Sequence, residues 1–204
     1  MIAPVFSNLP EPEHQSLLDP SGYGRIAMFG YRSSNVRLAI EALAAVRATL
    51  PFAQLWLIGL PGRDSEVGSE WCDAAAQAGL EPALQFTGTL SPQDLIRAIN
   101  QCDLCIFDDG LGPSSRKTTL AALLASGLPI VAVDGPNTWQ DLVWDEAIWL
   151  VDAKPSAIAA AVTRLVQNPE TARQLGERGH NFYVRHQARR KVVGDISDFI
   201  KQLI

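Results

Sequence analysis

Five consecutive residues, Ser115-Arg116-Lys117-Thr118-Thr119, combine hydroxyls with two cations at the head of an Ala/Leu-rich stretch. A Gly/Pro loop, Gly110-Leu111-Gly112-Pro113, precedes them, and before it lies an apolar run, Leu104 to Phe107, of strand composition. The order is a strand, a turn and a helix start, with the helix ending at Gly127. Main-chain N–H groups at a helix N-terminus lack intrahelical partners and carry partial positive charge. Arg116 and Lys117 in a first turn oppose the macrodipole by about 0.3–1 kcal/mol each, and a bound anion reverses that sign. Hydroxyls, two cations and free N–H groups converging behind a strand predict a phosphate cradle.

Other chemistry-bearing residues are fewer. Arg32 lies in a polar loop, Gly30-Tyr31-Arg32-Ser33-Ser34-Asn35, after an earlier apolar run. Asp108 and Asp109 suit ligand hydroxyls or a metal, and equally suit turn formation. A P-loop needs Gly where Arg116 precedes Lys117, and its glycines are misplaced, which argues against ATP hydrolysis. Cys102 and Cys105 have CxxC spacing, but they lead into a strand rather than open a helix, and no second pair or nearby His completes a zinc set. They read as small core thiols. His14, His180 and His186 fall in the N-terminal segment and the tail, so no catalytic His is evident, and Trp139, Trp144 and Trp149 read as packing residues.

The elements that position these residues alternate. Strands are expected at Ile26–Phe29, Gln54–Ile58, Ala83–Phe86, Leu104–Phe107, Pro129–Val133 and Ile148–Val151. Helices are expected at Val36–Thr49, Ser65–Ala78, Pro92–Asn100, after Ser115, and near Trp139–Val143. Ser91-Pro92 supplies an N-cap and a first-turn proline, and Gly79 and Gly127 stand where C-terminal glycines belong. Three further helices, Pro155–Gln167, Pro169–Tyr183 and Gln187–Ile204, follow without a strand and are expected against the sheet edge or a partner. The fold class is α/β, a doubly wound, Rossmann-like parallel sheet of about six strands with a C-terminal helical tail. Residues 1–24, with four prolines and no sustained period, read as a linker-like segment, and 25–204 as the domain. Ligands of such sheets bind at the carboxyl ends of the strands where strand order reverses, here between the first and fourth strands.

The 204 residues, 47% of them hydrophobic, suffice for one large α/β domain or at most two small ones. A net charge of −5 and a pI near 5.2 argue against a general nucleic-acid binder. With no apolar run of about 18 residues and no secretory leader pattern, any membrane association is expected to be peripheral and the location cytoplasmic. Three cysteines, an odd number, form no closed disulfide framework, which fits a reducing compartment.

Several segments together resemble the C-terminal half of a GT-B glycosyltransferase of the group 1 type. Gly30 and Arg32 followed by the helix Leu38 to Ala45 resemble the family's loop that meets the donor diphosphate. Phe86-Thr87-Gly88 is similar to its Phe-x-Gly step, Cys102 to Phe107 to its fourth strand, and Ala125-Ser126-Gly127-Leu128-Pro129-Ile130-Val131 to its small-x-Gly-x-Pro-Val-Val turn. Gln167-Asn168-Pro169 with Leu175 to Tyr183 resembles its closing helices, and Pro4 to Pro10 the segment leading from its first half into its second. Many members carry a pair of glutamates for the sugar and ribose, and the matching positions here are Ser114 and Ala122. Ser115-Arg116-Lys117-Thr118-Thr119 resembles a Ser-Arg-Arg/Lys-x-Ser/Thr variant found in some members.

The resemblance implies a nucleotide-sugar donor-binding domain whose donor, a nucleoside diphosphate sugar, meets Gly30, Arg32, Ser115, Arg116, Lys117, Thr118 and Thr119. It implies no metal and no cofactor beyond that donor, with the cations neutralising the diphosphate leaving group. It also implies a missing N-terminal acceptor domain, without which the chain binds but hardly turns over. The alternative is a non-catalytic Rossmann-like module that binds a partner or polymer.

Overall fold

A computed structural model describes residues 4–10, 24–29 and 35–203. Strand and helix alternate as β1 (Arg25–Phe29), α1 (Val36–Arg47), β2 (Gln54–Ile58), α2 (Glu66–Gln77), β3 (Leu84–Phe86), α3 (Pro92–Asn100), β4 (Leu104–Phe107), α4 (Thr118–Ser126), β5 (Ile130–Val133), α5 (Gln140–Trp144) and β6 (Trp149–Val151). Three helices close the chain: α6 (Pro155–Gln167), α7 (Pro169–His186) and α8 (Arg189–Lys201). The strands form one parallel sheet in the order β3-β2-β1-β4-β5-β6, a doubly wound arrangement. Strand order reverses between β1 and β4, where the sequence places it.

The apolar runs are strands because both sheet faces are covered. Ile26, Met28, Leu104, Ile106, Val131 and Val133 face one core, shared with α1, α2 and α6. Their neighbours Ala27, Cys105, Phe107, Ile130 and Ala132 face the other, shared with α3, α4 and α7. Helix starts follow side-chain capping, with Asn35, Ser65 and Ser91 accepting from Leu38, Gly68 and Asp94 amides. The third strand begins at Leu84, since Glu81–Ala83 forms a single 3-10 turn with Pro82 in its first positions.

Two expectations need correction. The first two helices after β6 cover sheet faces, not an edge: α6 lies on α1, and α7 crosses α4. That crossing is close, because a Cβ on Gly176 would stand 2.1 Å from the Gly127 carbonyl oxygen. Helix α4 also begins later than expected, at Thr118, with Lys117 in extended conformation as its cap residue. Arg116 and Lys117 therefore precede the first turn instead of occupying it. On α8 only Val192 is buried, and Val193, Ile196, Phe199 and Ile200 are exposed, as is Leu203 just beyond its end. Residues 4–10, part of the expected linker, lie against the domain, with Leu9 packed on the α3–α4–α7 core.

Candidate functional site

The residue after β4, Asp108, ties that strand's loop to the start of α1. It is buried, and its Oδ2 accepts the Asn35 N–H at 3.2 Å while its Oδ1 accepts the Gly110 N–H at 3.1 Å. Asn35 in turn caps α1, so one carboxylate joins the loop after β4 to the start of α1. Asp109 also serves the loop, its Oδ1 accepting the Leu111 N–H at 3.1 Å. The turn-forming reading of both aspartates is the one realised.

Asp109 does more. Its side chain is 2% exposed, and its Oδ2 lies 2.7 Å from Lys117 Nζ. The angles at that contact are not those of a hydrogen bond, so charge attraction holds the pair. Lys117 is thus a half-exposed ammonium anchored over a buried carboxylate. Arg116 is exposed and makes no ion pair among the described residues. Of the two cations behind β4, Arg116 is the one without an ion pair among the described residues.

The loop between them is fixed from the other side by the β5–α5 connection. Leu111 and Pro113 carbonyls accept the Asn137 and Trp139 N–H groups, each at 2.8 Å. The two backbones approach so closely that a Cβ on Gly112 would meet Thr138 Oγ1 at 2.4 Å, and Gly112 also has a φ of +88°. Asp134 holds the opposing turn by accepting from Thr138 Oγ1 at 2.6 Å and from the Gly135 N–H at 2.8 Å.

At the head of α4 no side chain caps the helix. The amides of Thr118, Thr119 and Leu120 open the helix, the first intrahelical bond being that of Ala121 N–H to the Lys117 carbonyl at 3.0 Å. Ser115 and Thr119 are half-buried and Thr118 is exposed. The structure therefore gathers Ser115, Arg116, Lys117, Thr118 and Thr119 at one helix start beside the β1/β4 reversal. Gly30 and Arg32, expected in the facing loop, lie outside the described residues. Ser114 is half-buried and Ala122 is buried, so neither position presents a carboxylate.

A family model described as glycosyl transferases group 1 matches residues 23–168. The chain belongs to the group 1 glycosyl transferases. A search of curated proteins finds no match. Among solved structures, sucrose-phosphate synthase from Thermosynechococcus elongatus is similar at TM-score 0.68 and 20% identity, over 89% of this chain and 46% of that one. Anabaena HepE in complex with UDP matches at TM-score 0.71 and 16% identity, over 87% of this chain and 48% of that chain. WaaG, a glycosyltransferase involved in lipopolysaccharide biosynthesis, matches at TM-score 0.70 and 11% identity, over 90% and 51%. The chain thus spans about half the length of these structures, and at such identities the likeness concerns the fold.

In this group 1 glycosyl transferase chain the two CxxC thiols are core residues. Burial pushes the Cys102 thiol up to about 12 and the Cys105 thiol well above its ordinary value. The Cys102 and Cys105 thiols donate to the Ala98 and Ile106 carbonyls. Trp139 packs edge-on to Phe182 at 4.9 Å, and Trp149 lies under the Arg164 guanidinium at 5.4 Å, as packing residues do. Trp144 departs from that expectation and is 75% exposed. Among the described residues, no helix is long and apolar enough to cross a membrane, and no His, Cys, Asp and Glu cluster is arranged to hold a metal ion. Sequence reading missed the Asp109–Lys117 pair and the Asp108 tie. An acidic residue directly after a strand was the available signal for both.

Proposed function

We propose that this chain is the nucleotide-sugar donor-binding unit of a glycosyltransferase, with the diphosphate seated at the N-terminus of α4. The observation that carries this reading is the uncapped start of α4 at the β1/β4 reversal, directly behind Arg116 and Lys117. Open helix amides and a guanidinium unpaired among the described residues suit an anion, and Thr118 and Thr119 add hydroxyl donors. Gly30 and Arg32 are assigned to the opposite side of the diphosphate. As the bond from sugar to phosphate breaks, negative charge grows on the departing diphosphate. Fixed cations beside it stabilise that charge more than they stabilise the intact donor, which lowers the barrier.

The acceptor is assigned to a domain other than this one, so the chain by itself binds donor and transfers little. Titration of UDP, GDP, ADP and TDP by calorimetry tests the reading. Submillimolar binding of one of them, lost in the Arg116→Ala, Lys117→Ala double variant, supports the donor site, and binding of none removes it. A second reading, a non-catalytic module for a partner or polymer, is favoured by one observation: Ser114 and Ala122 stand where many members place carboxylates. It predicts the negative outcome of the same titration.

A further inference from the structure

The segment 4–10 meets the donor loop through two hydrogen bonds in series. The Val5 N–H donates to the Ser115 carbonyl at 2.9 Å. The Val5 carbonyl accepts from Gln187 Nε2 at 3.1 Å. Gln187 lies at the junction of α7 and α8, is fully buried, and is fixed by its own N–H, which donates to the Tyr183 carbonyl at 2.7 Å. Phe6, next along the segment, lies under the Arg189 guanidinium at 5.9 Å.

Gln187 is an unusual choice for this place. Its Oε1 is buried without a hydrogen-bond partner, which disfavours a buried amide. The bond from its nitrogen to Val5 is the favourable polar contact that its side chain makes among the described residues. We propose that Gln187 is a positioning residue for the donor loop, acting through the main chain of Val5.

The physical link is the Ser115–Arg116 peptide. A trans peptide is planar with its C=O and N–H opposed, so drawing the Ser115 carbonyl toward Val5 turns the Arg116 N–H to the other side of the loop. The plane of that peptide fixes where Arg116 leaves the backbone, immediately before the start of α4. Its orientation is thus set from α7 and the segment 4–10, in addition to the local Asp109–Lys117 pair. The consequence for ligand binding rests on the donor reading above, whereas the ordering of the loop does not.

Two variants of the full chain test this. Gln187→Met keeps side-chain volume and removes the amide, and Val5→Pro removes the N–H at a site outside the core. In the ligand-free protein, exchange of the Lys117 amide, which donates to the Ser114 carbonyl at 3.3 Å, is expected to accelerate about tenfold in both variants. The Cys105 amide, bonded within the sheet to the Pro129 carbonyl, keeps its rate. With whichever of UDP, GDP, ADP and TDP binds as probe, the dissociation constant is expected to rise about tenfold. Unchanged loop exchange in both variants overturns the proposal. So does equal acceleration at Cys105, which marks Gln187 as core support only. If the unaltered chain binds none of UDP, GDP, ADP and TDP, the donor reading fails while the exchange measurement still decides the role of Gln187.

Discussion

The ammonium of Lys117 stands 2.7 Å from Oδ2 of Asp109, a carboxylate whose side chain is 2% exposed. The pair joins the end of β4 to the cap position of α4 and sets the spacing of the loop between them. Removing one partner of a buried pair leaves an uncompensated charge. Because Lys117 is itself 37% exposed, Lys117→Ala is expected to cost less than a fully buried pair, about 2 kcal/mol in denaturant unfolding. The double variant Asp109→Asn, Lys117→Met recovers most of that loss, since neither charge then remains. A double variant as unstable as Lys117→Ala would show that the ion pair is not what stabilises this loop.

Arg116 behaves differently because it is exposed and unpaired among the described residues. Arg116→Ala is expected to leave the unfolding midpoint within about 0.5 kcal/mol of the parent. On the donor reading proposed above, the same change weakens binding of the nucleoside diphosphate that the chain takes about tenfold, the effect shrinking as salt is raised. Calorimetry at two ionic strengths checks both statements.

Gly112 fills a position that no side chain fits. Alanine there must hold a φ of +88° and would press its Cβ to 2.4 Å from Thr138 Oγ1. Gly112→Ala is expected to destabilise by about 2–4 kcal/mol and to part the β4–α4 and β5–α5 loops. Thermal unfolding reads the first effect. Faster exchange of the Asn137 amide, which is bonded to Leu111, reads the second.

The core thiols predict an alkaline limit to stability. In the unfolded chain Cys102 ionises near 9.0, whereas in the fold its thiol is held up to about 12, first by burial and then by the nearby Asp103 charge. The folded state therefore keeps a proton that the unfolded state releases, so stability falls as pH rises from about 9 toward about 12. Below pH 9 this contribution is fully present. Cys102→Ala is expected to flatten that part of the stability curve. In the native protein at pH 8, iodoacetamide should label Cys72, which is partly exposed, and spare Cys102 and Cys105, which are buried.

Local features carried most of the fold into the sequence. Doubly covered strands such as Leu104–Phe107 and Ile130–Val133 read as continuous apolar runs, and Ser91, Gly79 and Gly127 mark helix ends through chemistry that acts within a few residues. The spacing of strand, glycine loop and hydroxyl-cation run brought Ser115 to Thr119 to notice for the same reason. The start of α4 was not legible, because the cap position of Lys117 depends on its ion pair with Asp109 as much as on helix propensity. Gln187 was still less so. A lone glutamine near a helix end has no pattern, and its contact with Val5 spans 182 residues of chain.

The sequence by itself determined the parallel α/β order, the reversal between β1 and β4, and the presence of cations at that point, since each follows from short-range periodicity and composition. Only the tertiary structure decided which cation is paired with Asp109 and which stays unpaired among the described residues, and that Val5 joins the loop to Gln187. Those outcomes depend on burial and on contacts between residues distant in the chain, and neither is encoded in local spacing.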